Sequence, residues 1–275
     1  MMNIEPGIYQ DLSNKDYHAH KESISRSAIM DFNKSAYTYW AKHINPERPE
    51  SKVTSAMELG TAFHTLILEP HLFDKMYAIE PTKVLLKDVG RDNYELYKQK
   101  LAELESKNKT VLTFETMEKL LAMSKSLTSH EKAMAFILDG KYEQSYFWID
   151  EHSGLMAKAR PDILHANIIV DLKTCDDASP RAFQRAMAES GYHVQGAMVQ
   201  EGIRKLEERE VSNVVNVCVE TKYPYSIGIY PIDESALEAG YVKFKQALLE
   251  IKHAKENNDY PHYLTQTISL PVWAA

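Results

Sequence analysis

The stretch Ile168-Ile169-Val170-Asp171-Leu172-Lys173-Thr174 closes an apolar, β-branched run by presenting an acid and a lysine two positions apart. In a strand, residues i and i+2 point to one face, so Asp171 and Lys173 share one side of a sheet while Leu172 takes the other. Upstream lies a second carboxylate, Asp162 in Ala159-Arg160-Pro161-Asp162-Ile163-Leu164, within reach of a neighbouring strand or its turn. Two carboxylates beside a base suit a hard divalent cation such as magnesium, with manganese as a substitute. Such ions prefer one or two carboxylates plus substrate phosphate oxygens over an all-protein cage.

Working outward, residues 56–68 carry apolar side chains at Leu59, Phe63, Leu66 and Ile67, a spacing that predicts one buried helical face. Gly60 and His64 are four apart and so lie one above the other. The missing side chain at Gly60 leaves room for a strand or a substrate backbone, and His64 faces that gap; taken alone, His64 also reads as a core histidine. Residues 143–149 alternate around Tyr146 and Trp148, 151–154 supply a turn, and 155–163 return, which predicts a strand pair. Helices are expected from Pro180 through Phe183 and Met187 and over 194–208, strands over 214–219 and 225–230, an amphipathic helix over 234–255, and a packed tail over 260–275. The amino-terminal part to about Asn45 is helix-like, with Phe32, Tyr37, Tyr39 and Trp40 and a cap at Ser25 or Ser27. Strands interleaved with helices predict a mixed α/β architecture, a central sheet flanked by helices.

Pro161-Asp162 followed by Asp171-Leu172-Lys173 resembles the signature of the PD-(D/E)xK nucleases, and Gly60-Thr61-Ala62-Phe63-His64 resembles the Gly-xxx-His element of their RecB-like branch. With Ser25-Arg26-Ser27, Tyr37-Thr38-Tyr39-Trp40, Gly154-Leu155 and Tyr192-His193-Val194-Gln195 in the same order, residues 7–230 are similar to the nuclease domain of RecE-type exonucleases. The resemblance implies one PD-(D/E)xK nuclease domain over 1–275; the residues from about 81 to 131 read as charged helices with short apolar stripes, a helical insertion or arm packed against that core. It implies a metal-dependent exonuclease acting on double-stranded DNA ends, usually 5′ to 3′, that leaves single-stranded tails for an annealing partner of the RecT type. A ring-like homo-oligomer belongs to the same expectation.

For the site, the resemblance makes Asp162 and Asp171 carboxylate ligands, adds the Leu172 carbonyl, and places His64 at a second metal position. Lys173 then orients or deprotonates a water or stabilises phosphate charge. Glu143 resembles a strand acid of related nucleases and reads equally as a solvent-facing strand residue. Arg160 holds a phosphate or braces Asp162 through a bidentate pair. Tyr192 and Gln195 match a Tyr-xx-Gln element that hydrogen-bonds the site or the DNA. The chain departs from pattern at Val199, where a tyrosine is usual. Two rival readings are an endonuclease of the same fold and a non-catalytic DNA-binding module.

Composition sets wide bounds. With 275 residues, 44% hydrophobic and 26% charged, the chain can bury a substantial core. No apolar run approaches a membrane span, and the amino end lacks a basic region followed by an apolar one, so a cytoplasmic location is expected. Two cysteines, Cys175 and Cys218, cannot alone build a four-cysteine cluster. The net charge of −7 weighs little against DNA binding, because a local positive lining decides that. Lys83, Lys87, Arg91, Lys98, Lys100, Lys107 and Lys109 supply phosphate contacts on one reading. On the other, alternating with Glu95, Glu103 and Glu105, they solvate a helix.

Overall fold

A computed structural model of the chain describes residues 4–49, 54–81, 90–263 and 265–270; the side chains of 90–96 fall outside that description. Strand β1 (Gly7–Tyr9) and helix α1 (Asn14–Ala19) lead into α2 (Arg26–Lys34). Ser25 is the residue that caps α2, its hydroxyl accepting from the Ala28 amide and satisfying one orphan donor of the first turn. Helix α3 (Ala36–Tyr39) runs into a π-helical turn, Trp40–Ile44. Then follow α4 (Ser55–Leu68), α5 (Pro70–Met76), β2 (Tyr77–Ile79), α6 (Gly90–Ser106), β3 (Thr110–Leu112), α7 (Phe114–Thr128) and α8 (Glu131–Ile137). The second half comprises β4 (Lys141–Tyr142), β5 (Ser145–Ile149), β6 (Met156–Ala159), β7 (Ile163–Leu164), β8 (Ile168–Cys175), α9 (Pro180–Ser190), α10 (Tyr192–Glu207), β9 (Asn213–Glu220), β10 (Ile227–Pro231) and α11 (Glu234–Asn257).

The central sheet has the order β10-β9-β8-β7-β4. Within this sheet β8 and β9 run parallel and the other neighbours antiparallel, and the connection between β8 and β9 carries α9 and α10, the crossover a parallel pair needs. Its two faces are covered differently. Ile169 joins a cluster with Val194, Met198 and Phe244 of α10 and α11, whereas Val170 and Leu172 join Phe63 of α4 and Leu120, Met123 and Leu127 of α7. The pleat therefore sends Asp171 and Lys173 to the α10 side, the division the period of two predicts.

Four expectations need correction. Glu143 is not in a strand: it lies between β4 and β5 with φ 51°, in the left-handed region. Strand β5 is buried at four successive positions, Ser145 through Trp148, because Tyr146 and Trp148 face the α10 cluster while Phe147 packs on Ile4 and Tyr17. The returning strand is split. Strand β6 pairs with β5 in a separate sheet of order β1-β5-β6, and β7 joins the central sheet, with Arg160-Pro161-Asp162 as the break. Pro161 has no amide to donate to a ladder, which makes that position a natural end to pairing. Finally, the described part of the tail is packed at its start, and residues 264 and 271–275 lie outside the described residues. The Tyr37 amide donates to the Pro261 carbonyl and the Tyr37 ring stacks on His262, but Ile268 and Leu270 are 77% and 73% exposed.

The segment 81–131 also divides. Leu120, Met123 and Leu127 of α7 are fully buried beneath the central sheet, so this helix packs against the core. Of the basic stretch, Lys83, Lys87 and the Arg91 side chain lie outside the described residues, Lys107 pairs with Glu103 four residues away, and Lys109 donates to the Asp74 carbonyl. Among the described residues, no helix is long and apolar enough to cross a membrane.

Candidate active site

The break between β6 and β7 puts Asp162 at the end of one sheet and the start of another, and two neighbours converge on it. The Glu143 amide donates to the Asp162 carbonyl at 3.1 Å, fixing the bend that presents the Glu143 carboxylate. Helix α4 brings His64, whose Nδ1 lies 3.8 Å from Asp162 Oδ2. Gly60, one turn earlier, makes this approach possible: a Cβ there would sit 3.2 Å from Thr174 Oγ1 of β8. It is a strand that comes close to Gly60. One ligand atom each from His64, Glu143 and Asp162 lies within 4.8 Å of the others.

Asp171 faces a second group of partners. One carboxylate oxygen accepts from Gln195 Nε2 at 2.7 Å, and the other meets the Lys173 ammonium. Lys173 also donates to Gln195 Oε1 at 3.3 Å, and its Nζ lies 4.7 Å from the centre of the Tyr192 ring. The Leu172 amide donates to Asp162 Oδ2 at 2.7 Å, which ties the two halves of the motif together. A strand residue's carbonyl points to the same edge as its amide, and β7 pairs with β8 only at Ile169 and Val170. The Leu172 carbonyl is therefore aimed along the edge where Asp162 sits.

The electrostatics are those of acids crowded out of water. Burial, reinforced by the charge of Asp171, pushes the Asp162 carboxyl up to about 6 against the pull of His64 and Lys173. Burial and Asp162 push Glu143 up to about 8, against the Arg160 guanidinium. For Lys173, burial opposes the charge, but Asp171 and Asp162 outweigh it, and its pKa is raised. The lysine is a fixed ammonium. The acids, with a histidine among them, form a donor set that fits a divalent cation, because ionising them together without one is costly.

A pH dependence follows. Both carboxyls have folded-state pKa values above the usual carboxylate range near 4. Their contribution to stability is complete below that range and is lost as pH rises through about 6 and then about 8. A cation that binds the ionised forms relieves that loss. The rise in Tm produced by magnesium should therefore grow between about pH 5.5 and about pH 8.5 in thermal melts. His64→Ala should shrink the rise and leave the metal-free Tm near that of the unsubstituted protein; a sharp fall in the metal-free Tm would make His64 a core residue instead.

Beside the acids stands a basic wall that sequence reading did not assemble. A cavity of about 750 Å³ takes in His64, Glu143 and Asp162 and is bounded by His18, Arg26 and Arg160. The same three basic residues also line a smaller cavity of about 190 Å³, together with Ser25, Ser27, Tyr17 and Lys158. Lys158 is 4% exposed, and its ammonium donates to the carbonyls of Tyr17 and His20 at 2.6 and 2.7 Å. Among the described residues no carboxylate pairs with it. Burial, with Lys21 and Arg160 nearby, pushes Lys158 down to about 7, and burial with Lys158 and Arg160 pushes His18 down to about 4. The sequence did carry a signal for this wall: Lys158 and Arg160 are two apart at the end of β6, a spacing that extended backbone turns to one face, leading directly to Asp162.

Of the expected site residues, Asp162, His64, Asp171, Lys173, Gln195 and Leu172 come together as described. Glu143 joins them from a bend. Arg160 does not brace Asp162 by a bidentate pair; its fork donates to the Leu12 carbonyl and the Ser145 hydroxyl, and its nearest acid is Glu143 at 3.8 Å. Tyr192 meets Lys173 through its ring. Val199 is 1% exposed in the α10 cluster, where it contacts core rather than substrate.

A mixed sheet with an acid, a second acid and a lysine at its broken edge defines a PD-(D/E)xK nuclease domain, a class that works with divalent metal. The chain belongs to the family described as a PDDEXK-like domain of unknown function (DUF3799), which matches residues 25–268. Among solved structures it is similar to a candidate exonuclease from Eubacterium rectale, with TM-score 0.61 and 16% identity over 94% of this chain and 96% of that one. A second similar structure, SSO0001, has TM-score 0.30 and 17% identity over 69% of this chain and 84% of that one. Comparison with curated proteins gives no match.

Proposed function

We propose that this nuclease is an exonuclease that digests double-stranded DNA from an end, 5′ to 3′, and leaves a single-stranded tail for an annealing partner of the RecT type. The observation that carries the proposal is the pair of adjoining cavities, acidic around Asp162 and basic around Lys158, which share His18, Arg26 and Arg160 as a common wall. An internal phosphodiester needs the acidic cavity alone. A strand end presents a second, terminal phosphate, and the small basic cavity offers it the Arg26 and Arg160 guanidinium groups, two serine hydroxyls and the third donor of the Lys158 ammonium.

In the acidic cavity Asp162, Glu143 and His64, with Asp171 and the Leu172 carbonyl beside them, would hold the cation. Magnesium, or manganese in its place, supplies charge neutralisation at the phosphodiester and activation of a water. The side chains do the rest. Lys173 keeps its proton and faces the negative charge that gathers on the phosphate, a role its raised pKa favours over that of a base. Gln195 donates to Asp171 and accepts from Lys173, and so holds acid and ammonium in register. The proposal extends to a ring-shaped homo-oligomer around the duplex, which keeps a net acidic protein on a polyanion without relying on salt-sensitive contacts.

Linear and covalently closed duplex of one sequence, compared in magnesium with and without chelator, test the reading. Linear duplex should be degraded, faster with a 5′-phosphate than with a 5′-hydroxyl, the closed circle should survive, and chelator should stop the reaction. Light scattering should give a mass several times the 31.5 kDa of one chain. Cutting of both substrates would point to an endonuclease of the same fold, and inertness toward both to a DNA-binding module.

A further inference from the structure

Tyr192 opens α10 directly after Gly191, and the corner before it leaves the ring little freedom. Gly191 has φ 71°, in the left-handed region, and a Cβ there would run into the Met30 side chain of α2. The Tyr192 ring stacks on Phe183 with centroids 5.9 Å apart, and Phe183 stacks in turn on Tyr230 at 4.7 Å. Onto this braced ring come two cations, the Lys173 ammonium with Nζ 4.7 Å from the centroid and the Arg26 guanidinium with Cζ at 5.8 Å. Among the described residues the Tyr192 hydroxyl makes no hydrogen bond.

The polar partners of Lys173 are the Asp171 carboxylate and Gln195 Oε1. Both lie on the same network, because Gln195 also donates to Asp171. They fix where the charge is attracted but leave a flexible four-carbon stem to settle around them. The ring face supplies the third side of the seat, through the attraction of its negative quadrupole for an ammonium that is largely out of water. We propose that Tyr192 is a positioning residue that acts on Lys173 through the face of its ring and not through its hydroxyl. This rests on the nuclease reading above for its consequence in turnover, but not for the contact itself.

The test is a series at one position. Tyr192→Phe should keep kcat near that of the unsubstituted protein, whereas Tyr192→Leu should lower kcat by about tenfold, the scale of one desolvated cation–ring contact, with KM for duplex little changed. Phenylalanines carrying one, two and three fluorines, incorporated at position 192, keep the ring's shape while draining its face, so kcat should fall stepwise with fluorination. In the metal-free protein, the Lys173 side-chain protons next to the ammonium should resonate upfield, assigned by Lys173→Arg, and return toward ordinary shifts in Tyr192→Leu. A Phe variant as impaired as the Leu variant would assign the effect to the hydroxyl, and a flat fluorine series would assign it to packing; either overturns the proposal. Should the unsubstituted protein hydrolyse no nucleic acid, the nuclease reading fails by itself, and the resonance shift alone decides the ring contact: shielding supports it and ordinary shifts overturn it.

Discussion

Purified Asp162→Asn and Asp171→Asn proteins should cleave linear duplex at least about 10³-fold more slowly than the unsubstituted protein, equivalent to several kcal/mol of lost stabilisation of phosphate charge. Asparagine is the informative replacement because it removes the charge and keeps an acceptor. At position 162 that acceptor still takes the Leu172 amide, and at 171 it still takes Gln195 Nε2. Alanine at 162 would abolish cleavage as well, but it leaves a buried amide without a partner, at a further cost of about 1–3 kcal/mol. The fold should tolerate the asparagines well. Asp162 is destabilised when ionised without a cation, so its neutral replacement should match or slightly raise the metal-free Tm above about pH 6. The rise in Tm on adding magnesium should shrink in both variants. Near-normal turnover in either would remove these carboxylates from the reaction and leave Glu143 and His64 to be explained by structure alone.

Much of this arrangement was legible because two periodicities hold close to the site. The period of two put Asp171 and Lys173 on one face of β8 and Leu172 on the other, and the helical period put Gly60 and His64 on one side of α4. Both depend only on local backbone geometry, which a few residues determine. The sequence was less informative where tertiary packing took over. Glu143 looked like the first residue of a strand because the apolar alternation begins near it, but the chain bends there into the left-handed region so that its amide can reach Asp162. The strand through Arg160-Pro161-Asp162 looked continuous because its side-chain pattern is; Pro161, with no amide for a ladder, marks where the chain leaves one sheet for the other. The basic wall is non-local, built from α1, the start of α2 and the end of β6 with the residue that follows it, and pairwise spacing along the chain cannot bring Arg26 to Lys158. Arg160 illustrates the same limit, since the arginine was found but its partners, Leu12 and Ser145, lie far away along the chain.

Lys173→Ala should lower kcat by about 10²–10³-fold, the effect of removing one preorganised charge-stabilising group worth ~3–4 kcal/mol. How the loss arises can be separated from a simple failure to bind metal. The ammonium contacts Asp171 and lies close enough to Asp162 to feel its charge, so it stands beside the place a cation would take and repels it. Removing it should leave the affinity for magnesium unchanged or tighter, read by calorimetry or by the midpoint of the magnesium-dependent rise in Tm. Raising magnesium should therefore not restore turnover. Lys173→Arg should rescue little, because a planar fork cannot occupy the seat between the Asp171 carboxylate, Gln195 Oε1 and the Tyr192 ring that a compact ammonium fills. If excess magnesium instead returned Lys173→Ala to near-normal kcat, the lysine would be an organiser of the carboxylates rather than a group that meets the phosphate. The stabilisation of charge during hydrolysis would then fall to Arg160 and Arg26 on the shared wall.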